Sequence, residues 1–298
     1  MNQKKTSIFT LRNLLVLHSD YLNELQKKTP ETRGTYERTL REFMRWLHLE
    51  KSFHFTSEDI ERYKRHLFRQ KKLTHTSVVM YLTSVRKFCE YLMRRGVLKE
   101  NPARAVPGGT PPVQHTRKSI SIGDVFNFLQ TIDRTNEIGF RDFAMAKLMI
   151  NCGLSEIELV RANVEDVILQ KKGLRLRVQG KGKKSKDTVL LVVDEACEAM
   201  KSYLSYRTKS KPSDPLFMSA GNRTRGDRMT SRGIRERINF YLTKAGIKNG
   251  EARKITALSL RQTAIQMMAH QGASFADIQE RFRITKPTTL KLYLNEST

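Results

Sequence analysis

The chain has 298 residues, 55 of them Lys or Arg and 30 Asp or Glu, giving a formal net charge of +25 and a pI of about 10.2. Such an excess attracts polyanions, and nucleic acid is the partner it points to, because each neutralised phosphate releases a condensed counterion. No apolar run reaches membrane-spanning length and no lipid-anchor signal accompanies the basic residues, while Cys89, Cys152 and Cys197 lack the spacing of a disulfide framework or a zinc site.

The first hundred residues read as helix throughout. A segment over about 9–28 comes first, and a second follows Pro30, with Tyr36, Leu40, Phe43, Met44 and Leu47 recurring at helical intervals. The opposite side of this second helix carries Arg38, Arg41 and Arg45. A third helix is expected after Thr56-x-x-Asp59, which has the spacing of a capping box. In the fourth, Val78, Leu82, Val85, Cys89 and Leu92 form an apolar stripe, with Arg86, Lys87, Arg94 and Arg95 off it. Each stripe is core, and four such helices make a compact bundle. The basic faces are the candidate nucleic-acid surface.

Half of the eight prolines then fall together as Pro102, Pro107, Pro111 and Pro112, beside Gly108 and Gly109. Proline stops helices and glycine loosens the chain, so 102–118 reads as a basic linker between a domain at 1–101 and another at 119–298. Beyond it the pattern mixes. Helical periodicity covers about 121–132, 138–151 and 155–162, strand-like runs follow at 164–169, 174–178 and 188–193, and helices resume at about 194–208, 230–245, 257–271, 274–283 and 287–294. The turn between the last two strands is Gly180-Lys181-Gly182-Lys183-Lys184-Ser185-Lys186-Asp187, a Gly-Lys hairpin loop. The expected class is mainly α with a small β-sheet.

Several short motifs occur in a telling order. Thr32-x-x-x-Tyr36-x-x-x-Leu40-x-x-Phe43 is followed by Arg86-x-Phe88-x-x-Tyr91-Leu92-x-x-x-Gly96 and Asn101-Pro102. After the linker come Arg141-Asp142, Cys152-Gly153-Leu154 with Glu158-Leu159, Gly180-Lys181-Gly182, Leu260-Arg261-x-Thr263, Ile278-Gln279-Glu280, and Thr288-Thr289-x-x-x-Tyr293. Over nearly its whole length the chain resembles the tyrosine recombinase, or phage integrase, family. The resemblance implies a SAM-like core-binding helical domain followed by an α+β catalytic domain, the two closing as a C-shaped clamp on duplex DNA.

It also implies a chemistry. A tyrosine hydroxyl attacks a DNA phosphodiester and forms a 3′-phosphotyrosine, retaining the bond energy so that no cofactor or metal is required. Fixed cations stabilise the extra charge on the non-bridging oxygens of the transition state. Carried over position by position, Tyr293 matches the nucleophile, Arg261 the second arginine and Lys181 the general acid of the hairpin, a role for which Lys183 and Lys184 are alternatives. Three of six catalytic positions are replaced: Ser155 stands for the first arginine, and Leu258 and Ile284 stand for the two histidines. Arg283, beside Ile284, is the favoured replacement cation, ahead of Arg161 and Arg281. Of the histidines in this half, His115 lies in the linker and His270 falls on the helix face opposite Arg261.

Arg41, Arg45, Arg86, Lys87, Lys183 and Lys184 are the expected DNA contacts. Two functions follow from this pattern. One is a site-specific recombinase or integrase of a mobile element or chromosome, acting as a homo-oligomer (a tetramer) on DNA or paired with a related recombinase. The other is a catalytically impaired DNA binder that regulates or partners an active relative. The opening MNQKKTSIFTLRN has no signal-peptide pattern, so a cytoplasmic, nucleoid-associated prokaryotic protein is expected. The few residues after Tyr293 are too short for a helix that docks onto a neighbouring protomer.

Overall fold

The computed structural model describes residues 11–50, 53–109, 118–180, 182–192, 194–248 and 255–294. The chain forms two compact units, 1–113 and 114–298.

The first unit is helical. It runs α1 (Leu11–Glu24), a 3₁₀ turn (Leu25–Lys27), α2 (Pro30–Leu49), α3 (Ser57–Arg69) and α4 (His75–Arg94). Polar caps start three of these helices. Thr29, with Pro30 next in the helix, accepts from Thr32 N, and Thr74 accepts from Ser77 N. Thr56 and Asp59 form a reciprocal capping box despite the shorter acid. The expected stripes face inward: Leu40, Phe43 and Leu47 of α2 meet Ile60, Tyr63 and Leu67 of α3 and Val78, Leu82, Val85 and Leu92 of α4. Full burial of such side chains contributes about 1.5–3 kcal/mol each. Inside this core the hydroxyl of Thr39 donates to Ser84 Oγ at 2.7 Å, joining α2 to α4.

The described part of the expected linker is not loose chain. Ala103 and Val106 are buried in the first core. Arg86 holds them there: its Nε donates to Ala103 O and its Nη2 to Val106 O, both at 2.9 Å, while Asn101 Nδ2 donates to Arg86 O. Proline and glycine prevent helix here without preventing packing. The remainder of that segment, 110–117 with His115, lies outside the described residues.

The second unit surrounds a three-stranded antiparallel sheet of order β1-β2-β3, formed by β1 (Val167–Leu169), β2 (Leu174–Val178) and β3 (Thr188–Val192). The first strand is shorter than its apolar run suggested, because Val164–Asp166 closes as a 3₁₀ turn in which Asp166 caps Asn163. Leu174, Leu176, Val178, Leu190 and Val192 turn inward. Around them pack α5 (Ile122–Gln130), α6 (Glu137–Asn151), α7 (Glu156–Arg161), α8 (Asp194–Leu204), α9 (Ser231–Lys244) and α10 (Ala257–His270). α6 is buried on nearly every side and carries Arg141 and Asp142 into the interior. Asp142 accepts from Arg141, Arg237 and the Tyr241 hydroxyl, and burial together with this carboxylate pushes the Tyr241 phenol up to about 12.

α11 (Phe275–Arg281) and α12 (Pro287–Leu294) complete the unit. They build a smaller apolar cluster against α10 from Ala264, Ile265, Ile278, Phe282, Ile284, Leu290 and Tyr293. This brings residues far apart in sequence to one place. No described helix is long and apolar enough to cross a membrane.

Candidate active site

The site starts from a turn. α6 ends at Cys152, and Gly153 adopts φ +59° before α7 begins. A Cβ at Gly153 would lie 2.1 Å from the Phe282 ring, so only glycine fits. The turn aims the Gly153 carbonyl at two guanidiniums.

One of these belongs to Arg261, in the second turn of α10 and only 9% exposed. Its Nη1 donates to Gly153 O and, at 3.2 Å, to Glu158 Oε2. Its Nη2 donates to Phe282 O, and the guanidinium carbon sits 5.8 Å from the Phe282 ring centre. The other belongs to Arg283. Its Nε donates to Glu158 Oε1 at 2.5 Å and its Nη2 to Glu158 Oε2 at 3.1 Å, a two-pronged grip on one carboxylate. Nη2 also donates to Gly153 O at 3.1 Å, and Nη1 to Arg281 O. Arg283 itself has φ +54°, a conformation that side chains other than glycine rarely adopt.

Glu158 is the hub. It is 2% exposed and sits one turn into α7, where Ser155 caps the helix. Ser155 donates to Glu158 Oε2 from both its backbone N and its Oγ, each at 2.8 Å. Burial raises the Glu158 pKa, but the Arg283 hydrogen bond, the charges of Arg283 and Arg261 and the Ser155 N–H outweigh it. The carboxyl is held below the usual range. Burial lowers the pKa of Arg261, Glu158 opposes that, and the nearby Arg283 adds to it. The Tyr293 phenol lies within electrostatic reach of Arg261.

Tyr293 is buried, 7% exposed, in the small apolar cluster with Phe282 and Ile284, and its carbonyl accepts from Gln266 Nε2 at 3.3 Å. Ser155, Leu258 and Ile284 are all near the arginines in the fold. Ser155 serves as a helix cap, Leu258 is half-buried in the first turn of α10, and Ile284 is core. None of the three carries a cationic or imidazole group.

The other expected contacts are scattered. Lys181 lies outside the described residues. Lys183 is exposed and pairs with Asp187 at 3.0 Å, lowering that carboxyl below its ordinary value, and Lys184 is exposed. Arg161 Nη1 donates to Gly180 O, tying α7 to the base of the hairpin. Arg281 is directed to Asn151 O, and His270 is exposed at the end of α10. In the first unit Arg41 is exposed, Arg45 pairs with Glu42 at 3.0 Å and Lys87 with Glu90 at 2.8 Å. Arg86 departs most from expectation. Its guanidinium is a structural tie to Ala103 and Val106, so a phosphate contact would have to use its remaining N–H groups.

Sequence reasoning noted Glu158 only as part of a motif and missed its role. The available signal was the Ser155-x-x-Glu158 spacing of a capping box. Among the described residues no group of three or more His, Cys, Asp or Glu side chains is placed to hold a metal ion.

Comparison with known proteins points the same way. The model described as "Phage integrase family" matches residues 120–298, and that of the "Phage integrase, N-terminal SAM-like domain" matches 18–96. The chain is similar to "Tyrosine recombinase XerC" of Thermodesulfovibrio yellowstonii, with 29% identity over 92% of this chain and 90% of that protein. It is likewise similar to the XerC of Yersinia pestis, with 28% identity over 92% and 86%. In fold it is similar to the XerH site-specific recombinase bound to a palindromic difH substrate, with a TM-score of 0.70, 13% identity and coverage of 97% of this chain and 82% of that one. A lambda integrase dimer bound to a COC′ core site gives a TM-score of 0.69 at 12% identity, covering 94% and 77%.

Proposed function

Because the chain belongs to the phage integrase family, we propose that it is a site-specific DNA recombinase that works through Tyr293. The observation that supports the reading most is the meeting of Arg261, from α10, and Arg283, from the segment between α11 and α12, on the Gly153 carbonyl, with Tyr293 of α12 within electrostatic reach of Arg261. The Tyr293 oxygen attacks the scissile phosphorus, the bond from phosphorus to the 5′ oxygen breaks, and a 3′-phosphotyrosine remains. The phenol proton passes to solvent water, and the departing 5′ oxygen takes a proton from the Lys181 ammonium, the role that the family resemblance gives this residue. Arg261 and Arg283 stabilise the non-bridging oxygens. The basic helical unit and the Lys183–Lys184 hairpin hold the flanking duplex. Assembly is as a homo-oligomer on DNA or with a related recombinase, in the cytoplasm with the nucleoid.

Loss of one aimed charge-stabilising group typically costs about 10²–10³ in rate. With Leu258 and Ile284 in place of histidines, single-turnover capture is therefore the sensitive assay. Duplexes enriched from a randomised library by the wild-type protein are nicked next to each candidate phosphate, incubated with the protein and run on a denaturing gel. A covalent adduct that disappears in Tyr293→Phe supports the reading. Full binding with no adduct at any nick position sinks it and leaves the second reading, a DNA-binding relative without strand transfer. That second reading is favoured by the burial of Tyr293 beside Ile284.

A further inference from the structure

The cluster around Glu158 carries more than a replacement cation. Two arginines share one carboxylate in a place where all three side chains are nearly closed to solvent. The charges do not cancel: one negative group faces two positive ones. Arg281, bound to Asn151 O, adds a further positive charge at the rim. Glu156, which influences Arg261, has its own partner in Arg235 at 3.4 Å. Burying an uncompensated charge is costly unless a counter-charge arrives. An excess cation of this kind is a site for an anion.

The geometry also relates Arg283 to position 155. Ser155 Oγ and Arg283 Nη2 meet on the same oxygen, Glu158 Oε2, at 2.8 and 3.1 Å. Arg283 Nη2 additionally reaches the carbonyl of Gly153, two residues before Ser155. The guanidinium of Arg283 thus shares with Ser155 the Glu158 carboxylate and bonds the turn that Ser155 follows. Its backbone has φ +54°, a left-handed conformation that costs a side-chain-bearing residue about 1–2 kcal/mol. The guanidinium contacts justify that cost, since glycine would fill the turn without strain.

We infer that the first arginine of the phosphate clamp has moved from position 155 to position 283, and that Glu158 is the positioning residue that holds the transplanted guanidinium beside Arg261. The inference rests on the reading above that this site receives a DNA phosphodiester. The two-pronged Arg283–Glu158 contact fixes the guanidinium plane, and Ser155 orients the carboxylate from the other side. Each guanidinium has more N–H donors than its bonds to Glu158 and to the carbonyls of Gly153, Phe282 and Arg281 use, and these are the donors available to a phosphate.

The test is phosphate-ethylation interference on the duplex enriched by the wild-type protein, run beside the adduct assay. Ethylation removes the charge of one phosphate at a time. Ethylating the clamped phosphate is expected to weaken wild-type binding roughly tenfold to a hundredfold, the equivalent of a hydrogen bond to a charged group. Arg283→Ala loses the penalty at that phosphate and keeps it at the others. Ser155→Arg/Arg283→Ala regains it. Glu158→Gln loses it selectively, which a merely structural role would not produce. If Arg283→Ala unfolds, the double variant decides: refolding with the penalty restored supports the transplant, and failure to fold overturns it. A penalty unchanged in Arg283→Ala, or not regained in the double variant, also overturns it. An adduct from wild type alongside either of those results refutes the transplant and leaves the recombinase reading standing. A wild-type protein with neither an adduct nor an interfering phosphate refutes the reading itself.

Discussion

Replacing Glu158 by Gln keeps the size of the side chain and removes its charge. In the structure this carboxylate accepts from Ser155 N, Ser155 Oγ, Arg261 Nη1, Arg283 Nε and Arg283 Nη2. The amide leaves two buried guanidiniums without a counter-charge and turns one acceptor into a donor that faces other donors. Removing one partner of a buried ion pair costs about 3–5 kcal/mol. A domain of this size loses about 2–4 °C of Tm per kcal/mol, so the transition of the second unit should fall by on the order of 10 °C. The pH dependence changes too. The folded Glu158 pKa is depressed, so its contribution is fully present above the unfolded carboxyl value and is lost as pH falls through the folded one. Wild-type stability should therefore decline on acidification below about pH 4–5, and Glu158→Gln should flatten that limb. Urea titrations of the full chain at a series of pH values measure both effects. A loss below about 1 kcal/mol with an unchanged acid limb would show that the cluster contributes no more than an exposed pair and would refute the reasoning.

Three other outcomes follow from named contacts. Gly153→Ala combines a left-handed backbone with a Cβ that would strike the Phe282 ring, so it should destabilise the second unit by about 3 kcal/mol, read by thermal melting, and the same change made in a Phe282→Ala background should cost less, the two effects being non-additive. Asp142→Asn disrupts a fully buried carboxylate that serves Arg141, Arg237 and Tyr241; a loss of about 3–5 kcal/mol is expected in denaturant titration, and a change inside about 0.5 kcal/mol would contradict the assigned partners. If DNA binding neutralises as many phosphates as the charge excess suggests, affinity measured by anisotropy should drop roughly 10³–10⁵-fold between about 50 and 200 mM salt, whereas a shallow slope would mean that few of the basic residues touch DNA.

Much of the architecture was legible in the residue order. The stripe Val78, Leu82, Val85, Cys89, Leu92 recurs at helical spacing because one face of that helix must meet a core, and all five are buried. The three strands and the Gly-Lys hairpin were readable from apolar runs separated by turn residues. The Pro- and Gly-rich segment was less so. Proline marks where helix stops, but whether the chain beyond it is free or docked depends on partners such as Arg86, which no local pattern reveals.

The sequence by itself determined the charge excess, the periodicities and the order of motifs. Those were enough to expect a nucleic-acid-binding chain with a family-like site, at which Ser155, Leu258 and Ile284 stand where the resemblance implies an arginine and two histidines. What only tertiary structure decided is which side chains meet around that site. Positions 155 and 283 are separated by most of the second unit in sequence. They meet because α11 and α12 fold back on α10, and because Gly153 lets Phe282 pack directly against the turn. Burial then turns three ordinary charged side chains into a cluster with one unbalanced positive charge, a property of place that no single stretch of sequence contains.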